Sequence, residues 1–342
     1  MERMKPLINR VVNGENLTRE DARDAMKTIM SGEATPSQIG AFLTGLRIKG
    51  ETVEEISEFA KIMREFAASI HPKVTGELVD TCGTGGDVLN TFNVSTISAF
   101  VAAGAGTPVA KHGNRSVTSM CGSADVLEAL DVNINLTPEN VERVIEKVGI
   151  GFMFAPLFHG AMKHTIRPRR EMGIRTVFNI LGPLTNPANA PAQILGVFDR
   201  DLTEKLANVL QDLGVKRALV VHGLDGLDEI SIIGETQISE LKNGEVETYI
   251  VSPEEFGLKT AMPDDIAGKD VTGNAELVKH ILRGEESGPK TDIVLLNAGA
   301  AIYVGGGASS IKDGVEKARA SIKSGRALKK LLALSEESRG RA

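Results

Sequence analysis

The sequence predicts an α/β protein, in which a small helical domain is followed by a larger α/β domain with a mostly parallel central sheet. Amphipathic helical patterns fill roughly the first 70 residues, and after Gly76 short apolar runs alternate with helices. This alternation is typical of parallel strands joined by right-handed crossovers. The 342 residues also suffice for two domains of about 100–200 residues each.

Three helix starts can be read near the N-terminus. Thr18 and Asp21 resemble a capping box, Thr35-Pro36 opens a second helix, and Thr52 begins a third. Apolar residues recur behind each start at helical spacing, which is typical of a core or a subunit interface rather than a ligand site.

The expected division of the chain follows from where these patterns change. The helical domain is expected to cover residues 1–72, and a segment at about 160–185 breaks the α/β rhythm and is expected to return to it. Residues 73–159 and 186–342 are expected to form the α/β domain.

Short apolar runs predict the strands of that domain. They lie at 78–79, 108–110, 152–154, 193–195 and 218–221. Asn243-Gly244 predicts a hairpin between 237–241 and 246–250. The last third is predicted to be mainly helical, with one more buried strand at 293–296.

Composition narrows the classes of function and location. A net charge of −6 and 4% aromatic residues argue against a nucleic-acid partner. The two cysteines are too few for a disulfide scaffold or a cysteine-based zinc site. Long uncharged segments are broken by Asn, Pro or Gly, so no membrane span is expected. The N-terminus lacks a signal-peptide pattern, which makes a cytoplasmic location the expectation.

A glycine-rich turn, Gly83-Thr-Gly-Gly-Asp87, follows the first predicted strand. Val88 stands where a Rossmann motif needs glycine, and no Walker A sequence is present. Backbone N–H groups in such a turn, next to a helix N-terminus, are suited to phosphate. A tight turn that requires positive φ angles would have the same sequence.

A second polar motif, Lys111-His-Gly-Asn114-Arg-Ser, follows the next predicted strand. Because ligands collect at the carboxyl edge of parallel strands, these donors favour an anion site. Asp228-Glu229 could hold the magnesium ion that usually accompanies a polyphosphate, although adjacent acids are also common on exposed loops.

The chain resembles the anthranilate phosphoribosyltransferase family along almost its full length. The motifs that carry the resemblance are Gly83-Thr-Gly-Gly-Asp87, Asn93-Val-Ser-Thr96, Lys111-His-Gly-Asn114-Arg-Ser, Gly122-Ser-Ala-Asp125, Gly173-Ile-Arg-Thr-Val-Phe-Asn-Ile-Leu-Gly-Pro-Leu-Thr-Asn-Pro187 and Asp228-Glu229. The resemblance implies the nucleoside phosphorylase/phosphoribosyltransferase-like fold, a homodimer formed through the helical domain, and Mg²⁺ as cofactor.

The resemblance also implies residue roles. Phosphoribosyl pyrophosphate (PRPP) would be bound by Gly83, Gly86, Asp87, Thr91, Asn93, Val94, Ser95, Thr96, Lys111, His112, Gly113, Asn114, Arg115, Ser116, Val117, Thr118, Ser119 and Ser123. Anthranilate would be bound by Gly83, Asn114 and Arg169, and Mg²⁺ by Ser95, Asp228 and Glu229.

The implied reaction is the transfer of a phosphoribosyl group to the amino nitrogen of anthranilate, a step of tryptophan biosynthesis. His112 could accept a proton or orient the substrate. Two alternatives stay open: a pyrimidine nucleoside phosphorylase of the same architecture, and a ligand-binding member of the fold without catalytic activity.

Overall fold

The computed structural model describes residues 3–86, 89, 91–116 and 121–340. The N-terminal helices of this part are α1 (Met4–Val12), α2 (Arg19–Met30), α3 (Pro36–Lys49) and α4 (Val53–Glu65). Helices α2, α3 and α4 begin with capping boxes at Thr18, Thr35 and Thr52, as the sequence indicates. The hydroxyl of each threonine accepts the N–H three residues later, and this fixes where the helix starts.

The sheet has seven strands among the described residues. They are β1 (Val79–Gly83), β2 (Val109–Gly113), β3 (Ile150–Phe154), β4 (Ala192–Gly196), β5 (Arg217–Gly223), β6 (Thr236–Lys242) and β7 (Glu245–Val251). Their order is β3-β2-β1-β4-β5-β6-β7. Strands β1 to β5 are parallel, whereas β6 and β7 are antiparallel and form the predicted hairpin at Asn243-Gly244.

The helices around and after the sheet follow the predicted alternation. They are α5 (Val94–Gly104), α6 (Ser123–Ala129), α7 (Pro138–Val148), α8 (Ala155–Phe158), α9 (Lys163–Met172), α10 (Phe178–Leu181), α11 (Leu202–Asp212), α12 (Val271–Arg283), α13 (Pro289–Val304), α14 (Ile311–Lys323) and α15 (Arg326–Arg339). The predicted fold class, a small helical domain with a larger and mostly parallel α/β domain, is confirmed.

The strand predicted at 293–296 is wrong, because these residues lie inside helix α13. Pro289 opens this helix at a position that proline favours. From Ile293 to Val304 every residue is buried, so the helix carries no polar face. A helix buried on all sides and a buried strand give the same uninterrupted apolar run, which periodicity alone cannot separate.

The strand order changes direction at one place. From β1 the chain adds β2 and β3 on one side, and then crosses to add β4 and β5 on the other. Gly83 at the end of β1 lies beside Gly196 at the end of β4. In open α/β sheets, ligands bind outside the carboxyl ends of the strands at this switch point. The fold therefore predicts a ligand-binding site at Gly83 and its neighbours.

The segment α8–α10 lies between the helices and the sheet. Phe178, Leu181 and Leu184 share a buried cluster with the N-terminal helices, and this cluster continues to Leu195 on β4 and Leu206 on α11. A separate cluster is built around α5 and α13. No helix in the described ranges is long and apolar enough to cross a membrane.

Candidate active site

A cavity of about 450 Å³ opens at the carboxyl ends of β1 and β4. Among the residues predicted to bind ligands, those lining it are Gly83, Gly86, Thr91, Asn93, Val94, Ser95, Thr96, Lys111, His112, Gly113, Asn114, Arg115, Ser116, Ser123, Arg169, Asp228 and Glu229. Asp87, Val117, Thr118 and Ser119 lie outside the described residues. The structure thus brings together every predicted site residue that it describes.

The glycine turn after β1 is held against β4 by hydrogen bonds. The Thr84 N–H donates to the Gly196 carbonyl at 2.9 Å, and the Phe198 N–H donates to the Thr84 hydroxyl at 3.1 Å. Gly85 and Gly86 have φ angles of 67° and 87°, which other residues rarely adopt. The turn requires these glycines for its shape, and it also presents N–H groups to the cavity.

Helix α5 begins at the same cavity. Its N-terminal N–H groups carry partial positive charge and attract anions. Asn93 precedes the helix but does not cap it, because its side-chain amide donates to the Cys121 carbonyl at 3.0 Å. The Ser95 N–H donates to the Glu229 carboxylate at 3.1 Å.

Lys111 is a buried lysine that reaches under helix α5. Its ammonium group donates to the Thr81 carbonyl and, at 3.2 Å, to the Ser95 hydroxyl. Burial lowers the pKa of Lys111 and raises the pKa of Asp80, and the attraction between the two groups opposes both shifts. Lys111 is therefore part of the site rather than a solvated surface residue.

His112 follows Lys111 and is also buried. Its ring centroid lies 5.0 Å from that of His159, which no sequence pattern indicated. Burial lowers the pKa of His112 to about 3 and that of His159 to about 4. Both rings are neutral near pH 7, so His112 is a weak base here and is better suited to orienting a ligand.

The loop after β2 packs tightly against α6. A Cβ atom on Gly113 would lie 2.8 Å from the Phe152 ring, and one on Gly122 would lie 2.7 Å from the Arg115 carbonyl carbon. Arg115 donates to Asp125 at 2.8 Å and lies 2.5 Å from Glu128. In this structure, Arg115 is thus bound to two carboxylates at the rim of the cavity.

The other end of the cavity is aromatic and basic. The Arg169 guanidinium lies 5.1 Å from the centre of the Phe178 ring, and no carboxylate of the described residues pairs with it. Burial lowers the pKa of Arg169, although not enough to neutralise a guanidinium. This end of the cavity can take a flat ligand that carries a carboxylate.

Arg175 and Phe198 were missed by sequence reasoning. Arg175 stacks 4.3 Å from the centre of the Phe198 ring and donates to the Gly86 carbonyl at 3.3 Å. Phe198 lies two residues after the end of β4, so its place after a strand next to the glycine turn was a usable signal. Nothing in the local sequence around Arg175 indicates its contact with a turn 89 residues earlier.

The metal-binding hypothesis rests on the loop between β5 and β6. Asp228 accepts the Gly85 N–H at 2.8 Å, and Glu229 reaches the start of α5 beside Ser95. No group of three His, Cys, Asp or Glu side chains suitable for a metal was found within the described ranges. Two carboxylates and a hydroxyl still fit Mg²⁺, which keeps several waters and takes oxygen ligands from a bound phosphate.

Comparison with known proteins identifies the class first. The helical bundle domain of the glycosyl transferase family matches residues 5–67, and the a/b domain of that family matches residues 75–328. The two matches agree with the helical and α/β parts of the fold.

Individual relatives then identify the family. The chain is 56% identical to anthranilate phosphoribosyltransferase of Acetivibrio thermocellus over 96% of this chain and 94% of the relative. It is 52% identical to that of Persephonella marina over 98% and 99% of the two chains. The chain belongs to the anthranilate phosphoribosyltransferase family, which confirms the resemblance drawn from the motifs.

Solved structures of the family have the same fold. The Thermus thermophilus enzyme is 43% identical and superposes with a TM-score of 0.92, covering 97% of this chain and 99% of that one. The Saccharomyces cerevisiae enzyme in complex with PRPP and Mg is 29% identical, with a TM-score of 0.90 and 98% of each chain covered.

Proposed function

We propose that this protein transfers the 5-phosphoribosyl group of PRPP to the amino nitrogen of anthranilate. The products are N-(5-phosphoribosyl)anthranilate and pyrophosphate, in tryptophan biosynthesis. The observation that carries the proposal is one cavity with two chemically different ends. One end gathers N–H donors, Lys111 and two carboxylates, and the other pairs Arg169 with aromatic rings.

The first end suits PRPP and its cation. Gly86, the N-terminus of α5 and Lys111 offer donors or positive charge to phosphate oxygens. Asp228, Glu229 and Ser95 would hold Mg²⁺, which when bound neutralises charge on the pyrophosphate. A bound polyanion also favours the charged form of Lys111, against the effect of its burial.

The second end suits anthranilate. Arg169 can form charge-assisted hydrogen bonds to the aryl carboxylate, and the rings around it cover the flat face of the substrate. Asn114 and the backbone at Gly83 also line the cavity, and the family resemblance assigns both to anthranilate. Structures of the yeast enzyme have been solved with 4-fluoroanthranilate, which supports an aryl carboxylate as ligand.

The chain's own residues mainly orient the reactants. The amino nitrogen bonds to C1 of the ribose as the bond from C1 to pyrophosphate breaks, through a transition state of oxocarbenium character, and the nitrogen then releases one proton to solvent. Lys111 and the backbone N–H groups stabilise the negative charge that develops on the leaving group. Because the arylamine is neutral at pH 7, the reaction does not need a strong base, which agrees with the low pKa of His112.

The division of the chain and its assembly belong to the same proposal. Residues 1–72 with about 160–185 form the helical domain, which is supported by the packing of Ala161, Met162 and Met172 against the buried cluster of the N-terminal helices. A groove between α1 and α3 leaves Val12 63% and Ile48 82% exposed, and a second copy of this chain covers it in a homodimer. A cytoplasmic location and the lack of a nucleic-acid partner stay predictions from composition.

The deciding experiment measures the fluorescence of anthranilate in the presence of PRPP and Mg²⁺. Loss of fluorescence that requires all three components is the expected result. Phosphorolysis of thymidine or uridine without this loss would instead identify a nucleoside phosphorylase. Binding of PRPP with neither reaction would identify a ligand-binding member without activity.

A further inference from the structure

The loop that carries Asp228 and Glu229 is buried although it has no regular secondary structure. Leu227, Ile230 and Ile232 in this loop are fully buried. Backbone groups that are removed from water must find hydrogen-bond partners elsewhere. The partners of this loop therefore decide where the two carboxylates lie.

Asn297 on helix α13 supplies those partners at Ile230, the residue after Glu229. Its side-chain oxygen accepts the Ile230 N–H at 2.9 Å, and its side-chain nitrogen donates to the Ile230 carbonyl at 2.9 Å. The same nitrogen donates to the Ile293 carbonyl at 2.9 Å. Two carbonyls can only accept hydrogen bonds, so the side-chain amide of Asn297 has one possible orientation.

The position of Asn297 is unfavourable unless these bonds form. Asn297 is 2% exposed and lies in the otherwise apolar part of α13. A buried amide without hydrogen-bond partners destabilises a folded protein. Val could fill such a place in an apolar helix, so packing does not explain an amide here. Its hydrogen bonds to the Ile230 backbone do.

Helix α13 also contacts the other half of the proposed metal site. The Ser98 hydroxyl on α5 donates to the Val294 carbonyl on α13 at 3.3 Å. Ser98 is one turn after Ser95, and Val294 is one turn before Asn297. One rigid helix thus fixes the distance between Ser95 and the acidic loop.

We propose that Asn297 is a positioning residue for the magnesium carboxylates, and this rests on the role of Asp228 and Glu229 in the proposed function. Asn297 does not touch the cation or the substrates. It holds the backbone after Glu229 so that both side chains point to Gly85 and the start of α5. Residues that orient metal ligands typically change metal affinity about 10–100-fold when they are replaced.

The test compares Asn297→Leu and the isosteric Asn297→Asp with the wild-type chain. Binding of Mn²⁺ is followed by the EPR signal of free Mn²⁺, with protein in excess over PRPP. The dissociation constant should rise about 10-fold or more in both variants, because Leu removes all three hydrogen bonds and Asp places an oxygen against the two carbonyls that the amide nitrogen serves. Hydrogen exchange of residues 227–235 should accelerate in both variants.

Ser321→Ala is the matched control. The Ser321 hydroxyl donates a buried hydrogen bond to the Val101 carbonyl at 2.8 Å, and this bond lies away from the acidic loop. This variant should lose stability without a change in Mn²⁺ affinity. Mn²⁺ affinity within twofold of wild type in a folded Asn297→Leu or Asn297→Asp variant would overturn the inference. If Asp228→Asn also leaves Mn²⁺ affinity unchanged, the metal site itself is wrong; if only Asn297 has no effect, the positioning role alone is wrong.

Discussion

Replacing Gly196 with alanine tests the geometry of the acidic loop without touching a ligand-binding side chain. Gly196 ends strand β4, and the backbone of Asp228 lies directly against its Cα. An added Cβ would overlap the Asp228 carbonyl oxygen and lie 2.5 Å from its carbonyl carbon. The φ angle of Gly196 suits any residue, so this contact is what opposes alanine.

The size of the effect follows from the displacement. Carbon atoms pack at about 3.5–4.0 Å and the overlap with the carbonyl oxygen is larger than that with the carbon, so the loop must move by more than about 1 Å. Misplacement of about 1 Å can cost about 10²-fold in rate, and overpacking costs about 1–3 kcal/mol of stability. We expect Gly196→Ala to fold, to lose about 10²-fold in kcat/KM, and to need more Mg²⁺ for half-maximal rate.

The assay is the fluorescence decrease of anthranilate at increasing Mg²⁺, with unfolding in urea as the measure of stability. Gly234→Ala is the control, because a Cβ there meets only Asp225, at 3.9 Å. If Gly196→Ala keeps the rate and the Mg²⁺ dependence of the wild type, the loop is not held against β4 as the structure has it.

Three further predictions concern the substrate end, the buried histidines and the groove. Arg169→Ala should lower kcat/KM for anthranilate about 10–100-fold and leave the KM for PRPP within about twofold, since one charge-assisted bond is lost; equal losses for both substrates would contradict this. Because burial lowers the pKa of His112 to about 3 and of His159 to about 4, the unfolded chain binds more protons below about pH 6.5. The free energy of unfolding, measured in urea, should therefore fall by about 2 kcal/mol per histidine between pH 7.5 and pH 5. In His159→Gln this fall should be smaller by about 2 kcal/mol, and an unchanged pH dependence would refute the prediction. Ile48→Glu should convert the proposed dimer to a monomer in light scattering. Glu33→Lys, on the exposed surface, is the control and should leave the mass unchanged. Lys49→Glu is unsuited as a control because Lys49 pairs with Glu55. A dimeric Ile48→Glu protein would exclude the groove.

The sequence was informative where local chemistry decides the structure. Threonine caps predicted the starts of α2, α3 and α4, and Asn243-Gly244 predicted the β6–β7 hairpin. Both depend on hydrogen bonds or φ angles of neighbouring residues. The same reasoning gave a wrong prediction for helix α13, because the surrounding elements rather than its own residues bury it on every side.

The site residues could be predicted from the sequence where a motif lies at or near the carboxyl end of a strand. Lys111 lies within β2, two residues before its end, and the glycine turn follows β1, so the parallel sheet brings them to one edge. His159, Arg175 and Asn297 belong to segments whose place is set by packing far along the chain. Their roles depend on contacts with residues 47 or more positions away, which no spacing rule records.

The hydrogen bonds from the Gly85 and Ser95 N–H groups to Asp228 and Glu229 couple the proposed binding of PRPP and of Mg²⁺ thermodynamically. A phosphate oxygen that takes either N–H has to displace a carboxylate, and a cation that draws the carboxylate away frees the N–H. Each ligand therefore removes part of the free-energy cost of binding the other. Because such coupling is reciprocal, PRPP must raise the affinity for Mg²⁺ by the same factor by which Mg²⁺ raises the affinity for PRPP.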